Sequence, residues 1–137
     1  MSGINTTAAC LKLRDGDSLD GKQGFSYLGG ISAESAGAQA ICMHLLEVPP
    51  GGRAKAHYHA SHETAIYVLE GRVEMHWGDR LQHLMTTEAG DWIYIPAGVP
   101  HLPVNRGDVM ARAALARTDP NEQESVVLTP ELEDLVP

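Results

Sequence analysis

The stretch that decides the fold is GGRAKAHYH, at positions 51–59, which ends in two histidines separated by one residue. Successive side chains of a β-strand point to opposite faces, so His57 and His59 present both imidazoles on the same face. Two imidazoles on one face can bind one metal ion together. The stretch therefore predicts a strand that carries half of a metal site.

A second stretch, PAGVPHLPVN at positions 96–105, supplies a third histidine. Pro96, Gly98 and Pro100 are turn-forming residues, and His101 follows them directly. We therefore expect His101 to be delivered to the same site by a neighbouring strand. A single histidine is more often exposed or satisfied in the core than a ligand, which is how we interpret His44, His76 and His83. The grouping of His57 and His59 with His101 favours a metal site instead.

Both stretches resemble the two motifs of the cupin superfamily. The matching positions are Gly51, His57, His59, Gly71, Gly90, Pro96, Gly98, His101 and Asn105. The resemblance implies an all-β fold, a double-stranded β-helix that forms a jelly-roll-like β-barrel in a single domain. It also implies a metal held by His57, His59 and His101. We expect Asn105 to brace the turn that follows it through its side-chain amide.

The chain departs from the family pattern at one metal position. The family usually has Glu six residues before the closing glycine, Gly71, and this chain has Thr64 there. Glu63 fits a shorter spacing counted from His59, and a β-bulge would turn it inward. Without a bulge, His62 shares the inward face with Thr64. Three arrangements stay open: three histidines with Glu63, four histidines including His62, or three histidines with waters. Glu63 or His62, if not bound to the metal, would serve as a catalytic proton acceptor.

Glycine and proline interrupt the chain every eight to twelve residues, which is typical of many short strands. Residues 1–24 are interpreted as an N-terminal arm or edge strand, and residues 25–137 as the barrel domain. The predicted strands are 25–28, 39–48, 54–59, 65–70, 73–77, 82–86, 91–95, 101–104, 110–117 and 126–128. A short helical turn after Thr129-Pro130 is given little weight.

Composition excludes several classes of partner. The net charge of −8 argues against nucleic-acid and anionic-membrane surfaces, since neither attracts a chain with only 10 Lys and Arg. No apolar run approaches membrane-spanning length, so we expect a cytoplasmic protein. The β-capable segments Phe25–Leu28 and Val126–Leu128 could pair across a two-fold axis, which predicts a homodimer.

Neutral imidazole suits a divalent transition metal (Fe, Mn, Ni, Cu or Zn) better than Mg or Ca. We expect the ion to lie in a mostly apolar pocket that takes a small-molecule substrate. The candidate lining residues are Cys42 or Met43, Leu45, Ile66, Val68, Met75, Trp77, Trp92, Tyr94 and Leu102.

Three functions are consistent with such a site. The first is a metal-dependent oxidoreductase of the dioxygenase type, which the family resemblance implies is a common use of the site. The second is a metal-assisted isomerase, cyclase or lyase, in which the ion polarises a carbonyl. The third is a non-catalytic cupin that binds a small molecule.

Overall fold

The computed structural model describes residues 8–14, 18–20, 26–121 and 125–137. Its strands are β1 (Ser18–Asp20), β2 (Ser26–Ile31), β3 (Cys42–Val48), β4 (His57–His59), β5 (Thr64–Glu70), β6 (Arg72–Trp77), β7 (His83–Glu88), β8 (Trp92–Ile95), β9 (His101–Val104), β10 (Ala111–Arg117) and β11 (Val126–Leu128). A short helix, α1, spans Ala33–Ala36, and a 3-10 helix spans Pro130–Leu135.

The strands form two antiparallel sheets. The six-stranded sheet has the order β1-β2-β3-β10-β5-β8, and the five-stranded sheet has the order β11-β4-β9-β6-β7. Several neighbouring strands are distant in sequence, as when β10 pairs with both β3 and β5. This arrangement confirms the all-β prediction and the double-stranded β-helix.

The inner face of the six-stranded sheet follows the two-residue period of its strands. On β10, Ala111, Ala113 and Leu115 are buried while Arg112 is exposed. Ile66 and Val68 on β5 and Met75 on β6 pack against Leu115 and Ala113 in one core cluster. These apolar rows explain why the sheets enclose an interior, since burial of each Leu, Ile, Val or Met side chain contributes about 1.5–3 kcal/mol.

The outer face of the five-stranded sheet carries a second core. Leu102 is fully buried there with Leu132 and Val136, which belong to the C-terminal segment that covers the sheet. Arg53 fixes this segment by donating to the carbonyl oxygens of Val136 (2.9 Å) and Glu133 (2.8 Å). Leu102 therefore packs under the C-terminal helix, and its assignment to the pocket lining was wrong.

Four other predicted lining residues do not line the cavity of the three histidines, although Tyr94 lines a second pocket that His101 also lines. Trp92, Tyr94, Met43 and Leu45 are exposed, with Trp92 81% exposed. The cause is register: Ile66 on β5 pairs with Ile93 on β8, and both isoleucines face the interior. Because alternate residues point to opposite faces, Trp92 and Tyr94 must then face outward.

Of the two segments predicted to pair across a dimer, β2 has neighbours on both sides, whereas β11 is the edge strand of the five-stranded sheet, so the edge-strand dimer stays a prediction. β2 pairs with β1 on one side and β3 on the other, so its hydrogen bonds are used within the chain. Phe25, the first residue of that predicted segment, lies outside the described residues. β11 pairs with β4 on one side.

The turn between β5 and β6 depends on glycine. Gly71 has φ of +82°, and a Cβ atom there would lie 2.6 Å from the Cα atom of Ala111. An L residue there would have to adopt an unfavourable left-handed backbone conformation, and its Cβ atom would clash with Ala111. Gly71 thus allows β10 to lie directly against this turn.

In the described parts of the chain, no helix has both the length and the apolar character needed to cross a membrane.

Candidate metal centre

Three buried histidines converge in the interior between the sheets. His57 and His59 lie on β4, and His101 on β9 is the antiparallel partner of His57. One ligand atom from each side chain lies within 4.8 Å of the others. The turn before β9 fixes this approach, because the Gly98 N–H donates to the carbonyl oxygen of His59 at 2.7 Å. The two stretches predicted to share a site are therefore adjacent.

Backbone carbonyls determine the tautomers of two of these rings. Nδ1 of His57 lies 2.7 Å from the Lys55 oxygen, and Nδ1 of His101 lies 2.9 Å from the Val99 oxygen. A carbonyl oxygen only accepts, so each Nδ1 carries the proton and donates. Each Nε2 is then left with a lone pair, which is the form that binds a metal.

His59 has no such partner. It is 2% exposed, and neither ring nitrogen has a hydrogen-bond partner among the described residues. A buried nitrogen without a partner costs about 1–3 kcal/mol unless something binds it. The neighbouring rings of His57 and His101 have centroids 5.4 Å and 5.7 Å away. This donor set fits a divalent transition ion, which would take one nitrogen from each ring.

Burial keeps all three imidazoles neutral. It lowers the pKa of His59 to about 2 and that of His101 to about 4, from an ordinary value near 6.5. The pKa of His57 is lowered well below its usual value, first by burial and then by the charge of a protonated His101. Neutral lone pairs are thus available at physiological pH, without competition from protons.

Thr64 occupies the position where the family usually has Glu. It is 2% exposed and lines the same cavity as the three histidines, and its Oγ1 has no hydrogen-bond partner among the described residues. Glu63, one residue earlier, points to the other face. Its carboxylate is exposed and accepts a hydrogen bond from the Tyr94 hydroxyl at 2.6 Å. β5 begins at Thr64, and the cluster of three histidines does not include Glu63.

His62 lies beside the cluster rather than in it. Its ring centroid is 5.2 Å from that of His59, and its Nδ1 lies 3.2 Å from an Asp119 carboxylate oxygen and 2.8 Å from the Ser125 hydroxyl. Burial lowers the pKa of His62, and the charge of Asp119 opposes that shift. In this conformation the ring is held by groups outside the cavity.

The remaining histidines lie away from the cavity. His76 faces Glu74, with 3.8 Å between the nearest nitrogen and oxygen, and the ring of His83 stacks on Trp77. His44 packs edge-on against Tyr27. None of the three belongs to the histidine cluster.

Asn105 has the bracing role expected of it. Its amide nitrogen donates to the carbonyl oxygens of Val48 and Val109, and its amide oxygen accepts from the Gly107 N–H. These bonds tie the end of β9 to β3 and to the loop before β10. The prediction for Asn105 is confirmed.

Sequence reasoning missed one buried cation in the cavity. Arg117, the last residue of β10, is 4% exposed and lies opposite Thr64 in the strand register. Its Nη2 donates to the Tyr27 hydroxyl at 3.5 Å, and both residues line the cavity. The signal was present: Arg117 continues the inward alternation of Ala111, Ala113 and Leu115, so the period of β10 places an arginine in an apolar row.

Most of the remaining cavity wall is apolar, with contributions from Ile66, Val68, Met75, Ile93 and Leu115; Thr87 and Arg112 also line it. The three neutral imidazoles, the Arg117 guanidinium and the hydroxyls of Tyr27 and Thr64 thus share a mostly apolar cavity. Such a site can orient a small molecule against a metal ion and hold its polar end.

Comparison with known proteins agrees with this geometry. A family model described as a cupin domain matches residues 44–116, more than half of the chain. The chain is 29% identical over 89 residues to an auxin-binding protein from Prunus persica. The matched region covers 64% of this chain and 43% of that protein. The chain spans about half the length of the curated relatives it matches.

The solved structures that are similar over much of the chain include a cyclase and an isomerase. The polyketide cyclase RemF from Streptomyces resistomycificus has a TM-score of 0.68 and 25% identity, covering 91% of this chain and 85% of that one. A sugar phosphate isomerase from Silicibacter pomeroyi has a TM-score of 0.59 and 26% identity, covering 77% and 69%.

Proposed function

Because this chain belongs to the cupin family, we propose that it is a metal-dependent enzyme acting on a small organic molecule. His57, His59 and His101 would hold a divalent transition metal (Fe, Mn, Ni, Cu or Zn). The observation that carries this proposal is the convergence of three neutral imidazoles within 4.8 Å, one of which, His59, has no hydrogen-bond partner among the described residues. Three protein ligands leave coordination positions open, which is typical of catalytic sites.

The reaction class we favour is metal-assisted proton transfer, as in an isomerase, cyclase or lyase. When bound, the ion would act as a Lewis acid that polarises a substrate carbonyl. The supporting feature is the donor set: oxygenases with a facial triad use a carboxylate ligand, and here Thr64 lines the cavity while Glu63 faces outward. The similarity to a polyketide cyclase supports the same class.

A dioxygenase-type oxidoreductase is the second candidate, since open positions beside one another would admit both a substrate and oxygen. One experiment separates the two. Protein purified without added metal is analysed for its metal content, and oxygen uptake is recorded with diketones, phenols and thiols. A stoichiometric metal without oxygen uptake supports proton transfer. Iron together with substrate-dependent oxygen uptake would contradict proton transfer and support the dioxygenase.

The ligand set we propose is three histidines with waters, without Glu63 or His62. Glu63→Gln and His62→Gln should then change metal affinity by less than about tenfold, because both side chains are held by other partners. A larger loss in Glu63→Gln would restore the carboxylate as a ligand, and a larger loss in His62→Gln would make a fourth histidine ligand. If either variant lost turnover while keeping its metal, that residue would be the proton acceptor.

We further propose a homodimer through the outer face of the six-stranded sheet. The cross-strand row Leu28, Leu45, Ala114, Tyr67, Trp92 runs over five strands, and beside it lies the row Met43, Ala116, Ala65, Tyr94. Neither row contains a charge. Two copies that each carry a net charge of −8 could therefore meet on this face with little repulsion.

Light scattering of the protein tests the dimer. A mass near twice 14.7 kDa is expected, and it should fall toward one chain in a Leu45→Glu/Trp92→Glu variant. Leu84→Glu, at an exposed position on the other sheet, is the control. A mass of one chain for the wild-type protein at micromolar concentration would contradict the proposed homodimer.

A further inference from the structure

We propose that Arg117, together with the hydroxyls of Tyr27 and Thr64, binds the carboxylate of a small organic acid in the cavity beside the three histidines. This assignment names a substrate class for the enzyme proposed above. It rests on that proposed function, because the function implies that the cavity takes a substrate. No step of the argument requires the metal to be present.

The three groups are brought together by register. Arg117 on β10 pairs directly with Thr64 on β5, so both side chains leave the sheet on its inner face. The guanidinium carbon of Arg117 lies 5.7 Å from the centre of the Tyr27 ring. All three residues are at most 4% exposed, and all three line the cavity.

Each group has a donor to offer. A guanidinium has five N–H donors in a planar fork, so it can keep its protein contacts and still bind a carboxylate. Tyr27 accepts from Arg117 at 3.5 Å, which leaves its own O–H to donate. Burial raises the pKa of Tyr27, so the phenol keeps its proton. Thr64 Oγ1 is buried without a partner among the described residues.

Charge also favours an anion. The described residues that line the cavity include neither Asp nor Glu but two arginines, of which Arg112 pairs with Glu47 and Glu70. An anionic ligand would gain a charge-assisted hydrogen bond from the Arg117 guanidinium beside its existing contacts, whereas a neutral ligand would gain a weaker one.

The remaining wall defines the rest of the ligand. Arg117 lies at one end of β10 and Ala111 at the other, six residues or about 20 Å apart along the strand. Around Ala111 the wall includes the aliphatic side chains of Val48, Val73 and Leu46. One cation at the polar end and aliphatic groups beyond it fit a monocarboxylate with an apolar body better than a doubly charged phosphate.

The test compares hexanoate with hexanamide, a matched neutral probe, and with hexyl phosphate. Binding is measured by calorimetry on the protein as purified and after chelation, with metal content determined in each sample. In the chelated protein, hexanoate should bind at least about tenfold more tightly than hexanamide and more tightly than hexyl phosphate. Arg117→Gln should remove this preference, Arg117→Lys should keep part of it, and the exposed control Arg72→Gln should leave it unchanged.

If Arg117→Gln does not fold, the nearly isosteric variants Tyr27→Phe and Thr64→Val serve instead. Each should weaken hexanoate about threefold or more while hexanamide stays unchanged. The proposal is overturned if the chelated wild-type protein binds hexanoate no better than hexanamide, including by failing to bind either. It is also overturned if the preference survives in Arg117→Gln or in both isosteric variants. A hexanoate preference that depends wholly on the metal overturns the arginine site but leaves the proposed metal enzyme intact. If the wild type bound no metal but kept the hexanoate preference, the proposed metal enzyme would be overturned and the arginine site would stand.

Discussion

Acid should destabilise the metal-free protein through its buried histidines. Their pKa values in the folded protein, about 4 for His101 and about 2 for His59, lie below the unfolded value near 6.5. The unfolded chain therefore binds more protons than the folded one over this range. Stability is fully present above pH 6.5 and is lost as the pH falls toward the folded pKa values.

The size of the effect follows from linkage. Between pH 7.5 and pH 5, each of the two histidines should cost the folded state about 2 kcal/mol, or about 4 kcal/mol together. That is a large fraction of the stability of an ordinary domain, about 5–15 kcal/mol. Urea denaturation of the chelated protein at several pH values, followed by tryptophan fluorescence, measures it.

A double variant isolates these two residues from other titrating groups. His59→Gln/His101→Gln should show a dependence of unfolding free energy on pH that is about 4 kcal/mol smaller than in the wild type. The absolute stability of the variant does not enter this comparison. If the wild type and the double variant changed equally between pH 7.5 and pH 5, the account of neutral, buried imidazoles would be refuted.

Three further substitutions test packing and turns. Leu115→Ala, at a core position that is 2% exposed, should lower the free energy of unfolding by about 2–5 kcal/mol, whereas Leu84→Ala at 55% exposure should change it by less than about 0.5 kcal/mol. Gly71→Ala should cost more than Gly51→Ala in thermal unfolding, because both glycines have positive φ but only Gly71 contacts Ala111; equal losses would contradict this. Asn105→Ala should cost about 1–3 kcal/mol in urea denaturation, since it leaves two carbonyls and one N–H without their bonds; an unchanged midpoint would argue against the bracing role.

The fold was predictable because its determinants are local and periodic. β9 and β11 have the predicted bounds, and β5, β6, β8 and β10 differ from theirs by one residue at the start. Glycine and proline mark the intervening turns, and the two-residue period marks the strands. α1 was missed because four residues are too few for a helical period; its stability comes from Ser32 and Ser35, which cap each other.

The faces of the strands were harder to predict than the strands themselves. A tryptophan next to an isoleucine does not reveal which of the two faces inward, and pairing of Ile66 with Ile93 decides that Trp92 is outside. The covering of Leu102 by Leu132 and Val136 depends on a contact between residues about 30 positions apart. Pattern alone carries no information on such contacts.

The site was partly predictable because some of its determinants are local in sequence. His57 and His59 share a face by local geometry, and a turn carries His101 to them. The direction in which Glu63 faces depends on where β5 begins. β5 begins at Thr64, and no bulge turns Glu63 inward. Arg117 was accessible from the alternation of β10, but its contact with Tyr27 comes from β2, 90 residues away in sequence.

The account's central claim is that three histidines bind one transition metal in an already folded barrel. The direct test is metal stoichiometry after loading and dialysis, measured with circular dichroism for the wild type, His57→Ala, His59→Ala, His101→Ala and the control His83→Ala. One metal per chain is expected in the wild type and control, and none in the three variants, all with a β-sheet spectrum. Full metal occupancy in any of the three would remove that residue from the site, and unfolding of all three would make the metal structural.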